Sequence, residues 1–204
     1  MARPKSEDKR NAILSAAARV FAIKGLGAAT SAISKAAGVA EGTLFTYFKT
    51  KDDLMNDLYR EIKLELADAM MSNFPRKKSV RVRLQHVWDC FVNWGAANPE
   101  QRKVLAQLEV WDGLSKEAAE AGSAPFTEVQ TMAQDAMDQH LIRNLSHEYV
   151  AAMMRSLAET TIEFMARNPK NADHFRQTGF EVLWAGISKK KIKLRIWNEC
   201  VLTH

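Results

Sequence analysis

Residues 25 to 51 read GLGAATSAISKAAGVAEGTLFTYFKTK, and their spacing decides the fold. The periodicity predicts a short helix from about Ser31 to Ala37, a turn at Gly38 and Val39, and a second short helix from about Glu41 to Phe48. That is a helix-turn-helix. Thr30 or Ser31 is expected to cap the first helix by accepting from its free amides. Ile33 and Ala37, four apart, fall on one face. Gly38 follows the last periodic residue, where the chain must take a positive φ, and glycine does so at no steric cost. Val39 is the apolar plug of the turn. In the second helix Leu44 and Phe48 point inward, which leaves Glu41, Gly42, Thr43, Thr46 and Tyr47 on or near the outer face. Those residue types suit groove reading and phosphate contact.

This unit resembles the N-terminal DNA-binding domain of the tetracycline-repressor-like (TetR) family of bacterial transcriptional regulators. The resemblance runs from about Arg10 to Leu58. It rests on FAIKG at 21 to 25, Thr30, Ile33, AAGV at 36 to 39, GTLFTYF at 42 to 48, and Lys51 followed by Leu54. Phe45 departs from the tyrosine usual in the family, so a phosphate-contacting hydroxyl is missing there. Ser34 departs from the usual alanine. The resemblance implies that the second short helix enters the major groove, with Gly42 and Thr43 close to the bases or backbone. It implies that Tyr47 and Lys51 hold phosphates, and that Thr30 and Ser31 offer hydroxyls and helix-start amides to the backbone. Thr46 joins them on the outer face. Glu41 has two readings, accepting from a cytosine amine or standing exposed and repelling phosphate.

Ahead of this unit, Ser6 to Lys24 reads as a first helix with Ile13, Ala17, Val20 and Phe21 on its apolar stripe. Arg3, Lys5, Lys9 and Arg10 form a basic arm or a frayed polar terminus. From Lys51 a fourth helix runs to about Met71, with Leu54, Leu58, Ile62 and Leu66 at four-residue intervals and Asp52 and Asp53 in the first turn, where the helix dipole favours negative charge. The segment Phe74 to Lys78 is a proline-marked break. A helix from Ser79 to Ala97 follows. Asn98-Pro99-Glu100-Gln101 then reads as cap, first helical position and capping-box partner of a helix ending at Gly113. Ser115 to Ala121 is a further turn or two, and a helix from Pro125 to His140 comes after it. Ser146 caps a helix to Arg167, and the last runs from Pro169 to Ser188.

The fold expected is therefore all-α, about nine helices, with a helix-turn-helix head over 1–51, a connecting helix over 52–73, a ligand-binding and dimerisation domain over 74–188 and a basic tail over 189–204. No strand signal competes outside the tail, and internal repeats are absent.

Charge supports the division. The net charge of +5 is uneven: residues 1 to 51 hold nine Lys and Arg against three acids, residues 189 to 204 hold five against one, and the stretch between is net acidic. A basic head suits a polyanion. The opening MARPKSEDKR lacks the apolar core of a signal peptide, and no run approaches eighteen apolar residues, so the expected place is cytoplasmic without membrane contact. Cys90 and Cys200 each lack a second Cys nearby, so neither a disulfide framework nor a thiolate metal site is suggested.

Tests for catalysis find little. His147-Glu148 begins an HExxH pattern, but position 151 is alanine. His86 and Cys90, four apart, could share a metal, although packing is the commoner role. Phosphate-loop, nucleophile-elbow and dinucleotide fingerprints are missing. An enzyme, a cofactor and a resident metal are not expected. The middle of the chain is rich in large, adaptable apolar groups, of which Trp88, Phe91, Trp111, Phe126, Met132 and Met137 are candidates to line a pocket for a small apolar or aromatic ligand. The resemblance implies such a pocket, and it places a homodimer interface on the last two long helices, here with Met153, Leu157, Phe164, Phe175, Val182 and Leu183. The function expected is that of a homodimeric repressor that binds a palindromic operator in double-stranded DNA and is released by a small-molecule effector. A DNA-binding adaptor regulated by a protein partner and a helical-bundle enzyme are the alternatives.

Overall fold

The computed structural model of the protein describes residues 5–189. The tail expected from residue 189 lies outside them apart from Lys189, as does Arg3 of the basic arm. All regular elements among the described residues are helical. They are α1 Lys5–Lys24, α2 Thr30–Ala37, α3 Glu41–Tyr47, α4 Lys51–Met71, α5 Val80–Ala97, α6 Pro99–Leu108, α7 Lys116–Ser123, α8 Thr127–Asp138, α9 His147–Arg167 and α10 Ala172–Ile187, with single 3₁₀ turns at Ala124–Phe126 and Pro169–Asn171. The all-α class is as expected. The helix beyond the expected nine is α7, whose start is capped by the Ser115 hydroxyl accepting from the Ala118 amide.

The chain packs as two compact units: one holds the chain up to Phe74 together with Asn93–Thr127, the other Pro75–Val92 and the chain from Glu128. The sequence division at 73 thus meets a chain that leaves the first unit, returns to it at Asn93 and leaves it again after Thr127.

In the first unit α1 packs on α2, α4 and α6. Its stripe of Ile13, Ala17 and Phe21 is wholly buried, together with Ile33 of α2 and Leu44 of α3. The helix-turn-helix is closed by Gly38, which takes φ 68° and ψ 31°, while the Val39 amide donates to the Ser34 carbonyl. Ser34, buried where an alanine was the family habit, keeps its hydroxyl satisfied by donating to the Ser31 carbonyl at 3.1 Å. The head is pinned to α4 by Arg10. Its guanidinium donates to Asp57 Oδ2 at 2.9 Å and lies 5.8 Å from the centroid of the Phe48 ring. Arg10 is therefore a clasp inside the fold and not part of a basic arm. A capping box starts α4, with the Thr50 hydroxyl accepting from the Asp53 amide and the Asp53 carboxylate from the Thr50 amide.

Three local expectations are corrected in this unit. Thr30 and Ser31 do not cap α2: the cap position is Ala29, and Thr30 is already the first helical residue. Asn98 holds the cap position of α6 but makes no side-chain cap, because its amide donates back to the Trp94 carbonyl and Gln101 is drawn across to Glu65. And α6 ends at Leu108, short of Gly113. The chain there is held by Asn56 of α4, which donates to the Gly113 carbonyl and accepts from the Ser115 amide, while the Trp111 ring folds over Gly113.

In the second unit α9 and α10 pack along each other. Gly179 lets them close: a Cβ there would come 2.6 Å from both the Thr161 hydroxyl and the Trp88 ring. Trp88 is wholly buried, and its indole N–H donates to the Arg176 carbonyl at 2.9 Å. Ser146 caps α9 as expected, accepting from the Tyr149 amide.

Candidate nucleic-acid interface

The head presents α3 by burying its inner side. Leu44 is fully buried and Phe48 nearly so, which turns Glu41, Gly42 and Thr46 to solvent and leaves Thr43 and Tyr47 half-buried. Open space surrounds Gly42 where a side chain would stand, so a backbone or base can approach the helix closely there. Thr46 donates its hydroxyl to the Gly42 carbonyl at 3.0 Å, which leaves its oxygen lone pairs outward. Phe45, 42% exposed, presents a bare ring beside it, an outward apolar group that the sequence reading set aside. Lys51 at the start of α4 is half-buried, its ammonium 5.8 Å from the Phe21 ring centroid, where the ring face favours a cation.

At the start of α2, Ser31 is exposed and Thr30 half-buried. The Thr30 hydroxyl donates to Glu41 Oε1 at 2.8 Å, so the first turns of α2 and α3 are tied together across eleven residues. Neither α2 nor α3 carries a side-chain cap, since alanines occupy both cap positions. The Thr30 to Glu41 bond depends on the turn between the helices, and no spacing rule signals it.

The candidate pocket residues are spread over both units. Trp88, Phe91, Met132 and Met137 are buried in the second, whereas Trp111 and Phe126 are half-buried in the first, with the Lys63 ammonium 4.7 Å from the Phe126 ring centroid. An open groove of about 490 Å³ on the second unit is lined by other residues of α9 and α10, among them Tyr149, Met153, Leu157, Val182 and Leu183. Four of the six candidate dimer residues therefore share one groove. The remaining two, Phe164 and Phe175, meet as a tilted ring pair with centroids 5.5 Å apart. Phe164, Val182 and Tyr149 are all exposed.

Among the described residues no group of three His, Cys, Asp or Glu side chains is placed to hold a metal, and no helix is long and apolar enough to cross a membrane. His86 Nε2 does lie 3.5 Å from Cys90 Sγ. Burial, and secondarily the Asp89 carboxylate, push the Cys90 thiol up, the wrong direction for an activated nucleophile.

Comparison with known proteins agrees with this geometry. Residues 13–58 match the family described as bacterial regulatory proteins, tetR family. The fatty acid metabolism regulator protein of Bacillus subtilis is 34% identical over 73 residues, covering 35% of this chain and 38% of that one. An uncharacterized HTH-type transcriptional regulator, YhgD, of the same organism is 32% identical over 80 residues, 37% of this chain and 42% of that one. The chain thus spans about two fifths of the length of these curated relatives. Among solved structures, a TetR family transcription regulator from Marinobacter aquaeolei VT8 superposes with a TM-score of 0.83 at 19% identity, covering 93% of this chain and all of that one. The regulator FadR of Bacillus subtilis in complex with stearoyl-CoA gives 0.65 at 20% identity, covering 86% and 98%. These structural likenesses speak to the fold. With the helix-turn-helix in place and residues 13–58 matching the family model, this head is a helix-turn-helix domain of the tetR family of bacterial regulatory proteins.

Proposed function

We propose that the protein is a sequence-specific DNA-binding transcriptional regulator, a homodimeric repressor released by a small apolar or aromatic effector. The observation that carries this reading is α3: Leu44 and Phe48 anchor it from below, while Gly42 and Thr46 stand outward on a head with nine basic residues against three acids. In this reading α3 enters the major groove. Thr30, Ser31, Tyr47 and Lys51 hold phosphates, and Gly42, Thr43 and Thr46 lie against the bases or backbone. One head reads only a few base pairs, so two heads related by a twofold axis read a palindrome. The exposed face of α9 and α10 supports that pairing.

Release works by population shift. The effector favours a conformation of the body that pulls α4 and separates the two heads beyond their operator spacing. A coupling of about 1 to 3 kcal/mol is typical of such linkage. One similar protein is a fatty acid metabolism regulator by name, and the similar regulator FadR was solved with stearoyl-CoA, which makes a long-chain acyl-CoA the first effector to assay.

The test is selection of bound duplexes from a random pool by the purified protein, followed by the salt dependence of the winner. An enriched palindrome with a steep salt slope is expected. A folded protein that enriches no sequence overturns the reading.

A further inference from the structure

We propose that Glu41 is a specificity-determining residue of the head, a resident anion that holds the Thr30 hydroxyl in the DNA-free protein and must release it before a phosphate can take its place. The inference rests on the DNA-binding reading above.

A threonine hydroxyl has one proton to give. In the free protein Thr30 gives it to Glu41 Oε1 at 2.8 Å. The same proton is the one a DNA phosphate would need from Thr30, so the two acceptors exclude each other. Neither residue is committed to capping its own helix, because Ala29 and Ala40 hold the cap positions of α2 and α3. Charge sharpens the competition: between Lys9 and Lys51 the chain carries seven Lys and Arg, and Glu41 is the one acid. Its carboxylate is exposed at the start of the helix that reads DNA.

Displaced by a phosphate, Glu41 has two fates. Against a random duplex it stands near phosphates with no donor of its own and is repelled. Where the groove offers a cytosine amine at its position, it accepts from that amine, one of the pairings the major groove permits. Glu41 thus weakens binding to all DNA and restores it at sites with the right base, which is discrimination obtained by penalising the wrong sequence.

The experiment measures the affinity of the full chain for a random duplex and for its own selected duplex at one salt concentration, in wild type, E41Q, Glu41→Ala and Thr30→Val. Glutamine keeps an acceptor for Thr30 and for cytosine but removes the charge. For E41Q, binding to the random duplex should rise about fivefold per head, the factor expected for one unit charge near a phosphate in water. Binding to the selected duplex should rise less, so the ratio of the two affinities falls. Glu41→Ala should lower that ratio further by removing the cytosine acceptor as well. Thr30→Val should weaken both duplexes alike and leave their ratio unchanged, the pattern the Glu41 variants would share if Glu41 acted only by holding Thr30. E41Q, which keeps an acceptor for Thr30 on an exposed side chain, should melt with wild type. An unchanged ratio in both overturns this inference and leaves the DNA-binding reading standing. A wild type that selects no duplex overturns both.

Discussion

Gly179 and Gly186 lie seven residues apart on α10, and the same substitution should act oppositely at the two. At Gly186 an added Cβ meets only the Met153 methyl at 3.6 Å, an ordinary contact, so Gly186→Ala should gain the helix preference of alanine, about 1 kcal/mol. At Gly179 the added atom lands 2.6 Å from both the Thr161 hydroxyl and the Trp88 ring. Thr161 is held by donating to the Leu157 carbonyl and Trp88 by donating to the Arg176 carbonyl, so neither can give way freely. Overpacking of this kind costs about 1 to 3 kcal/mol, more than the helix gain. Gly179→Val, which adds bulk and removes the helix gain, should lose more again. Urea unfolding at equal protein concentration reads all three. A second test at this scale concerns Lys51. If it holds a phosphate by charge, Lys51→Ala should weaken binding to every sequence similarly. It should also flatten the dependence of log affinity on log salt by roughly one unit per lost contact. A loss confined to one sequence would place Lys51 at a base.

In α4 the bounds were legible and the partners were not. Its bounds, Lys51–Met71, agree with the reading, because four apolar residues at strict four-residue spacing leave no other face to bury. The polar residues of α4 were not legible, since their partners come from other helices. Asp57 takes Arg10 of α1, Asn56 holds the turn before Ser115, and Glu65 takes Gln101 of α6. The same cause accounts for the missed end of α6 and the uncapped start of α2: a local rule reads local bonds, and these sites form distant ones. In the candidate interface the outward set on α3 was legible from periodicity, whereas the Thr30 to Glu41 bond was not, because it depends on the turn angle. Glu65 makes the point testable. Its side chain is exposed, yet the carboxyl is raised above the ordinary value of 4.5, first by partial loss of surrounding water and then by the Glu61 carboxylate four residues away, against a smaller lowering from Gln101. A raised folded-state value means that the folded chain binds the proton more tightly than the unfolded one, so this group's contribution to stability falls as pH rises through that range. Glu65→Gln should therefore be more stable than wild type at pH 7, and the advantage should vanish well below pH 4. Unfolding midpoints in urea at the two pH values check it, and an advantage that persists in acid would assign the gain to packing instead.

Across the whole molecule, the proposed function requires two heads, and the second unit carries a face suited to bring them together. Tyr149, Phe164 and Val182 are exposed on α9 and α10, and Met153 and Leu157 sit half-buried beside a groove whose floor includes the buried Leu183. Contiguous apolar surface on one face marks an interaction site, whereas singly exposed apolar residues do not. Of these positions Leu157 is the most informative to change. It lines the groove, yet it is not part of the closely packed seam of Gly179, Thr161 and Trp88, so a substitution there tests association with the least damage to folding. Leu157→Glu would place a carboxylate on each side of a twofold interface, where two uncompensated charges must leave water together. The expected outcome is a folded monomer by sedimentation and circular dichroism. Its affinity for a palindromic duplex should fall toward that of a single head, while its affinity for a half-site duplex stays at the wild-type monomer level. A variant that still sediments as a dimer removes α9 and α10 as the interface. A clean monomer that keeps full palindrome affinity removes the need for two heads, and with it the argument that operator spacing is what the effector changes.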